Sequence, residues 1–136
     1  MPTTPTWLSS SAPTDGQLVD SICDAAMAGI EDGWLLPAER GGIRFGRIAA
    51  DISGFSVDAV LSSGTGPRHR HPQGEVDLVF ALAGDPRFDG HPAGWVVYPP
   101  GSEHVPAVTG GEMLILYFLP GGAIEWVTND GAKSPE

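Results

Sequence analysis

Short segments in which apolar and polar residues alternate, separated by turns, constrain this chain most strongly. Its 136 residues include 19 glycines and 13 prolines, and both residue types favour turns over long helices. Strict alternation is the pattern of a half-buried β-strand. Turn signals recur about every eight to twelve residues, as in a sandwich or barrel. We therefore predict an all-β fold with strands at residues 42–49, 55–62, 68–71, 75–83, 94–98, 104–108, 112–119 and 123–127, and a loop at 84–90.

One amphipathic helix is predicted ahead of the strands, over about residues 15–31. Thr14-Asp15-Gly16-Gln17 has the spacing of a capping box, and Gly33 would end the helix. Apolar residues then recur at helical intervals. We expect a flexible N-terminal arm at residues 1–13, a single domain at 14–128 and a frayed tail at 129–136.

The charge balance excludes several classes of partner. The formal net charge is −10, whereas nucleic acids and anionic membranes attract basic surfaces. No apolar run is as long as the roughly 18 residues of a membrane span, and the N-terminus lacks the features of a signal peptide. Cys23 is the single cysteine, so an internal disulfide is impossible. We expect a cytoplasmic protein whose partner is neither nucleic acid nor membrane. The negative net charge does not exclude a small anionic molecule as ligand.

A histidine-rich segment gives the strongest indication of chemistry. In a strand, His69 and His71 point to the same face, Glu75 follows four residues later, and His104 lies in a second segment. Imidazole nitrogens with one carboxylate form the usual shell of a borderline divalent metal such as Zn, Mn or Fe. The alternative is a metal-free pocket in which these groups bind substrate and move protons directly.

The same residues resemble the two motifs of the cupin superfamily, whose members are small jelly-roll barrels. The matching patterns are His69-x-His71-x3-Glu75 and Gly94-x4-Pro99-x-Gly101-x2-His104. The resemblance implies a cupin-type jelly-roll barrel preceded by one N-terminal α-helix. It also implies that His69, His71, Glu75 and His104 are metal ligands, and that Glu75, His71 and His104 carry the catalysis.

Longer blocks of the chain are similar to the 4-hydroxylaminobenzoate lyase family. These blocks are residues 33–35, 41–47, 54–58, 69–78, 94–102 and 117–125. The resemblance implies conversion of 4-hydroxylaminobenzoate to 3,4-dihydroxybenzoate with release of ammonia, in nitroaromatic degradation. This chemistry needs no external electrons, and the chain has no dinucleotide fingerprint or phosphate loop, so we expect no nucleotide cofactor.

A small aromatic carboxylate substrate would need a cation and an aromatic wall. Arg44 and Arg47 lie three apart on one predicted strand, so they point to opposite faces and one of them could clamp the carboxylate. Trp95 or Tyr98 could stack on the ring. We also expect a homodimer, to which Trp7 in the N-terminal arm could contribute.

Two other functions use the same pocket. One is a non-catalytic cupin that senses a small aromatic acid, and the other is an iron-dependent cupin dioxygenase, which the same ligands support. Ammonia release distinguishes the lyase from the sensor, and oxygen uptake identifies the dioxygenase. Neither alternative explains the long blocks that resemble the lyase family.

Overall fold

One helix and two antiparallel sheets make up residues 16–127 and 133–134, which are the part of the chain that our computed structural model describes. The helix, α1, spans Gln17–Asp32. The strands are β1 (Ala38–Arg40), β2 (Ile43–Ile52), β3 (Phe55–Ser62), β4 (His69–His71), β5 (Glu75–Phe88), β6 (Gly94–Tyr98), β7 (Ser102–His104), β8 (Val108–Pro120), β9 (Glu125–Val127) and β10 (Lys133–Ser134).

The strands form one large and one small sheet. The large sheet has six strands in the order β1-β2-β3-β8-β5-β6, and the small sheet has four in the order β10-β9-β4-β7. Neighbours along the chain are often distant in the sheets, because β8 lies between β3 and β5, and β4 pairs with β7 and β9. The result is the two-sheet jelly roll with an N-terminal helix that the sequence indicated.

Alternation along the strands gives the large sheet two different faces. One face, which we call the helix face, packs against α1 and includes Ala59, Leu61, Leu78, Leu114 and Leu116. The opposite face, which we call the inner face, is turned toward the small sheet and includes Val79, Val96, Met113, Ile115 and Leu119. Burying these side chains on both sides of one sheet gives the domain two apolar layers.

The ends of α1 lie close to the predicted ones. Gly16 occupies the N-cap position, and Thr14 and Asp15 of the predicted capping box lie outside the described residues. The predicted C-terminus is confirmed. Gly33 adopts φ 85° and its N–H bonds to the carbonyls of Gly29 and Ile30, as glycine readily does at this position.

The predicted loop at residues 84–90 is also wrong. β5 continues to Phe88, and only Asp89 and Gly90 form the turn that follows. Register shifts interrupt the pairing of β5 with β8 around Ala83 and again between Gly84 and Arg87. Such bulges accommodate glycine and proline inside a strand, which is why a turn-like composition here does not end the strand.

Several smaller differences concern element limits. β8 begins at Val108 and β7 ends at His104, so no strand spans 104–108. β1 was not predicted. The N-terminal arm with Trp7 lies outside the described residues, as does most of the tail, of which only the two residues of β10 are described. In the described part of the chain, α1 is too short and too polar to cross a bilayer.

Candidate metal centre and active site

The short strand β4 supplies two of the four predicted ligands. His69 and His71 are buried on one side of it, whereas Arg70 between them is exposed. Arg70 lies 3.8 Å from Glu125, and Arg68 donates to Glu103 at 2.9 Å. His69 and His71 therefore share the inward side, as predicted, and the guanidinium groups of Arg68 and Arg70 lie on the outward side.

A tight turn and a neighbouring strand supply the other two ligands. Gly74, at φ 89°, donates its N–H to the His71 carbonyl and so brings Glu75 back beside His71. A Cβ at Gly74 would lie 3.1 Å from the Tyr98 carbonyl oxygen. His104 comes from β7, where it is directly opposite His69 in the antiparallel register. The four side chains thus meet between the two sheets.

The ligand atoms converge on a small volume. One atom from each of His69, His71, Glu75 and His104 lies within 4.8 Å of all the others. The Nε2 atoms of His71 and His104 are 3.2 Å apart. Glu75 Oε1 lies 3.4 Å from His104 Nε2 and 3.9 Å from His69 Nε2, and it contacts His71 Nε2 directly. Three imidazoles and one carboxylate therefore converge on one small volume between the sheets.

Unpartnered buried atoms show that this donor set fits a divalent metal. His69 Nδ1 lies 3.1 Å from the Pro67 carbonyl and His104 Nδ1 lies 2.8 Å from Asp89 Oδ2, so each ring can turn an Nε2 lone pair inward. Among the described residues, His69 Nε2 and both Glu75 oxygens are buried without a hydrogen-bond partner. Buried polar atoms are normally satisfied, and a metal ion would satisfy these.

A second buried carboxyl group lies beside Glu75. Burial raises the pKa of Glu75, but the adjacent Asp77 carboxyl group and the three imidazoles outweigh burial and hold that pKa well below its usual range. Burial, followed by the charge of Glu75, raises the pKa of Asp77 well above its usual value. In the metal-free protein Glu75 is therefore the ionised member of the pair, and Asp77 is the member that retains a proton.

Asp89 forms a second charged group behind His104. Burial lowers the pKa of His104, but its bond with Asp89 and the nearby Glu75 carboxylate raise it to about 9 overall. Burial raises the pKa of Asp89, yet its bonds with His104 and Tyr98 bring it below the ordinary value. Burial and then Asp89 raise the pKa of the Tyr98 hydroxyl, so this hydroxyl stays protonated and donates to Asp89.

Sequence reasoning missed two residues of the site. Asp89 was assigned to a loop, and Trp126 was given no role. Trp126 pairs with His69 across β9 and β4, and the two ring centroids are 5.5 Å apart. Its indole nitrogen is buried without a hydrogen-bond partner among the described residues. An Asp-Gly pair between two strands was a usable turn signal for Asp89, whereas nothing local indicated the register of Trp126.

The two predicted aromatic candidates lie on opposite faces. Tyr98 is opposite Glu75 in the register, and its ring centroid is 4.2 Å from that of His104, so it belongs to the site. Trp95 is opposite Leu78 and packs with Phe118 on the helix face. Of the two candidates, Tyr98 is therefore the one that faces the four converged side chains, because a position three residues away in a strand points the other way.

The two predicted arginines also lie on opposite faces. Arg44 is opposite Leu61, which belongs to the helix face. Arg47 is opposite Asp58, which is opposite Tyr117 and therefore on the inner face. The Arg47 Nε donates to Asp58 at 2.9 Å, and the Arg47 side chain is 57% exposed. Arg47 is thus the arginine on the same face as the four converged side chains, on β2 beyond the residues that pair with β1.

Comparison with known sequences assigns the family. The profile of the 4-hydroxylaminobenzoate lyase family matches residues 3–126. The chain belongs to this family. It is 29% identical over 135 residues to a 4-hydroxylaminobenzoate lyase from Nocardioides sp. (strain LMS-CY), covering 88% of this chain and 79% of that one. It is 27% identical over 143 residues to the lyase of the same name from Pseudomonas putida, covering 88% and 80%.

Solved structures agree on the fold. An RmlC-like cupin protein from Ralstonia eutropha JMP134 aligns with a TM-score of 0.55 at 16% identity, over 74% of this chain and 70% of that one. An acetylacetone dioxygenase from Acinetobacter johnsonii aligns with a TM-score of 0.55 at 11% identity, over 71% and 70%. At such low identity these similarities concern architecture alone, and they confirm the predicted cupin-type jelly roll.

Proposed function

We propose that this protein is a lyase that converts 4-hydroxylaminobenzoate and water to 3,4-dihydroxybenzoate and ammonia. The observation that carries the proposal is that a family match over residues 3–126 includes a converged group of three histidines and one glutamate. The relatives from Nocardioides and Pseudomonas bear the name of this activity. The overall reaction oxidises a ring carbon and reduces the nitrogen, so electrons balance within the substrate.

The reaction makes three demands on the site. The N–OH oxygen must accept a proton and leave as water, a water molecule must add to the ring carbon beside the nitrogen, and a second water must replace the resulting imine and expel ammonia. One water leaves and two are added. A divalent metal held by His69, His71, Glu75 and His104 would supply a Lewis acid for polarising the departing oxygen and for activating water.

The buried carboxyl pair is suited to moving these protons. Asp77 is fully buried on the inner face, next to Glu75. A carboxyl group whose pKa is raised by burial can hold a proton and donate it to the departing oxygen, and its conjugate base can then accept a proton from water. In the proposed reaction Glu75 holds the charge beside the metal site, and the proton moves through Asp77.

Two aromatic side chains flank the ligand group and could hold the substrate ring. Tyr98 lies against His104 and His71, with centroid separations of 4.2 and 6.4 Å. Trp126 lies against His69 on the other side. Offset or edge-to-face contacts with a benzene ring suit both. Trp126 also presents a buried indole N–H that has no partner in the described structure, so it could donate to a polar group of the substrate.

Arg47 is our candidate for the substrate carboxylate. The row Asp77, Tyr117, Asp58, Arg47 crosses four adjacent strands on the inner face, so about 14 Å of sheet separates its ends. The combined length of a para-substituted benzoate and an extended arginine side chain is of the same order as this separation. Because Asp58 occupies Nε of Arg47, the terminal Nη pair is the edge that could bind a carboxylate through two parallel hydrogen bonds.

The direct test is turnover by the purified protein. Protein incubated with 4-hydroxylaminobenzoate should release ammonia and 3,4-dihydroxybenzoate in equal amounts, and the rate should be the same with and without oxygen. His104→Ala is the inactive control, and Glu103→Gln, which alters the exposed neighbour of His104, is the matched active control.

The outcomes separate the proposal from its rivals. Tight binding of the substrate without release of ammonia would identify a sensing module. Oxygen uptake during turnover, with loss of activity under nitrogen, would identify a dioxygenase. Equal release of the two products in the absence of oxygen supports only the lyase.

A further inference from the structure

We propose that Asp89 is a positioning residue that fixes the orientation and tautomer of His104 as a metal ligand. The inference concerns how the chain builds the metal centre, and it holds whichever substrate the centre acts on. It rests on the geometry of a turn, on the hydrogen bonds of one carboxylate, and on the exposed position of His104.

The Asp89-Gly90 turn places the carboxylate with little freedom. Phe88 and His91 exchange two backbone hydrogen bonds of 2.8 Å around it. Asp89 has φ 49° and Gly90 has φ 85°, so both central residues are left-handed, as in the tightest hairpin connection. Asp and Asn tolerate this conformation better than other non-glycine residues do. The turn therefore fixes the backbone from which the carboxylate projects.

Both oxygens of the Asp89 carboxylate are used by the site. Oδ2 lies 2.8 Å from His104 Nδ1 and also accepts from the Tyr98 hydroxyl. Oδ1 accepts from the backbone N–H of Ala107 at 2.8 Å, and the Asp89 N–H donates to the Ala107 carbonyl at 2.8 Å. One residue thus connects the end of β5, the end of β6 and the segment that follows β7.

His104 needs this support more than the other histidines do. It ends β7, a three-residue strand at the edge of the small sheet, and 12% of its side chain is exposed, against 5% for His69 and 0% for His71. The rings of His69, His71, Phe88 and Tyr98 pack around that of His104, and Asp89 is the residue that bonds to its Nδ1. A hydrogen bond from Nδ1–H to a fixed carboxylate restrains it and leaves the Nε2 lone pair facing Glu75.

The Nδ1 atoms of the three histidines have three different environments. His69 Nδ1 bonds to the Pro67 carbonyl, His104 Nδ1 bonds to the Asp89 carboxylate, and His71 Nδ1 is buried without a partner among the described residues. A carboxylate partner makes the imidazole a stronger ligand than a carbonyl partner does. Asp89 should therefore govern the contribution of His104 without affecting that of His69.

Asp89→Asn tests the proposal because asparagine keeps the size of the side chain and the preference for this turn. The metal-free variant should fold, with an unchanged circular dichroism spectrum. Its affinity for Zn²⁺ or Co²⁺, measured by competition with a chelator, should fall by about 10- to 100-fold. The visible absorption spectrum of the Co²⁺-loaded variant should also differ from that of the wild type, since the geometry around His104 changes.

Two controls separate positioning from general effects. Asp85→Asn removes a carboxylate from the same strand whose side chain is 91% exposed, and it should leave metal affinity and spectrum unchanged. Tyr98→Phe removes the neighbouring hydroxyl but keeps the Asp89–His104 bond, so its loss of affinity should be smaller than that of Asp89→Asn.

A measurement on the wild type covers the case in which the variant fails to fold. Nitrogen-15 NMR of the metal-free protein, at a pH where the imidazoles are neutral, should show His104 with its proton on Nδ1 and none on Nε2. A proton on Nε2 of His104 would overturn the proposal. A folded Asp89→Asn protein with wild-type metal affinity and an unchanged Co²⁺ spectrum would overturn it as well.

Discussion

On β5, Leu78 faces α1 among leucines, whereas Glu75 and Asp77 face the small sheet among histidines. All three residues are buried, and they lie on one strand within four positions. The helix face uses burial to stabilise the domain, since apolar side chains leaving water provide most of the folding free energy. On the inner face, Glu75 and Asp77 are buried polar groups. Burying such groups is unfavourable unless they are hydrogen-bonded or bind a metal.

The comparison teaches that period-two alternation divides two tasks between the faces of one sheet. A substitution on the helix face should change the free energy of unfolding and leave the chemistry of each folded molecule intact. Replacing one of the polar site residues of the inner face should mainly change the chemistry, whereas apolar residues of that face, such as Ile115, belong to the second apolar layer and contribute to stability. The following predictions test this division, beginning with the largest expected effect.

His71→Ala should abolish turnover of 4-hydroxylaminobenzoate while the protein stays folded. His71 is fully buried on the inner face, and its Nε2 contacts both Glu75 and His104. Losing this nitrogen removes one of four metal ligands, and we expect a rate reduced by a factor on the order of 10³ or more. Steady-state kinetics and metal analysis would check this. Full turnover by the variant would remove His71 from the mechanism.

Leu78→Ala should give the opposite result. Leu78 is fully buried on the helix face, where it packs in the cluster that includes Leu116 and Val19. The cavity should lower the free energy of unfolding by about 2–5 kcal/mol, and the rate per folded molecule should stay near that of the wild type. Urea denaturation and kinetics on the same sample test both halves. A large loss of rate with unchanged stability would contradict the division.

Asp77→Asn should reduce the pH dependence of stability of the metal-free protein. Burial and Glu75 raise the pKa of Asp77 in the folded state, so between the unfolded pKa and the folded pKa the folded protein holds one extra proton. The contribution of Asp77 to the free energy of unfolding is therefore fully present below about pH 4. It falls as the pH rises between the two pKa values, by about 1.4 kcal/mol per pH unit. Glu75, whose pKa is lowered, contributes the opposite slope only in acid.

The measurement is chemical denaturation of both proteins in the absence of metal, between pH 5 and pH 6.5. This interval lies above the ordinary carboxyl range and below the range in which His104, with its pKa of about 9, adds a similar slope. The change in stability with rising pH should be more unfavourable in the wild type than in the variant, and this difference isolates Asp77, because His69, whose pKa burial lowers, adds a slope of the opposite sign to both proteins. Parallel curves would show that Asp77 does not retain its proton.

Arg47→Gln should raise KM for 4-hydroxylaminobenzoate and change kcat little. Arg47 lies on the inner face and Arg44 on the helix face, so Arg44→Gln is a matched control from the same strand. A charged hydrogen bond to a carboxylate contributes about 1.5–3 kcal/mol, which corresponds to a KM increase of roughly tenfold or more. Steady-state kinetics check the pair. A KM raised by Arg44→Gln and unchanged by Arg47→Gln would reverse the assignment.

The strand-rich fold and the shared face of His69 and His71 were accessible from sequence because they follow from short-range patterns, whereas the place of His104 beside them was implied by the resemblance to the second cupin motif. His69 and His71 share a face by alternation, and the strand at 55–62 has the limits that its polarity pattern predicted. The same rule, applied within the strand at 94–98, places Trp95 and Tyr98 on opposite faces, so at most one of the two candidates could face the histidines.

Other parts of the site depend on information that no local pattern carries. Trp126 reaches the site through its pairing with His69, 57 positions earlier in the chain, and registers between distant segments are set by the whole barrel. Asp89 reaches His104 because β5 continues through two bulges beyond its predicted end. A bulge retains strand pairing where glycine and proline suggest a loop, and this hid the carboxylate that supports His104.

The central claim is that three imidazoles and one glutamate between the sheets hold a single divalent metal. Anomalous diffraction from crystals of the metal-loaded protein tests this most directly. We predict one anomalous peak about 2.0–2.2 Å from the Nε2 atoms of His69, His71 and His104 and from a Glu75 oxygen. A catalytically active crystal with no peak there, or with these side chains turned away from one another, would contradict the account.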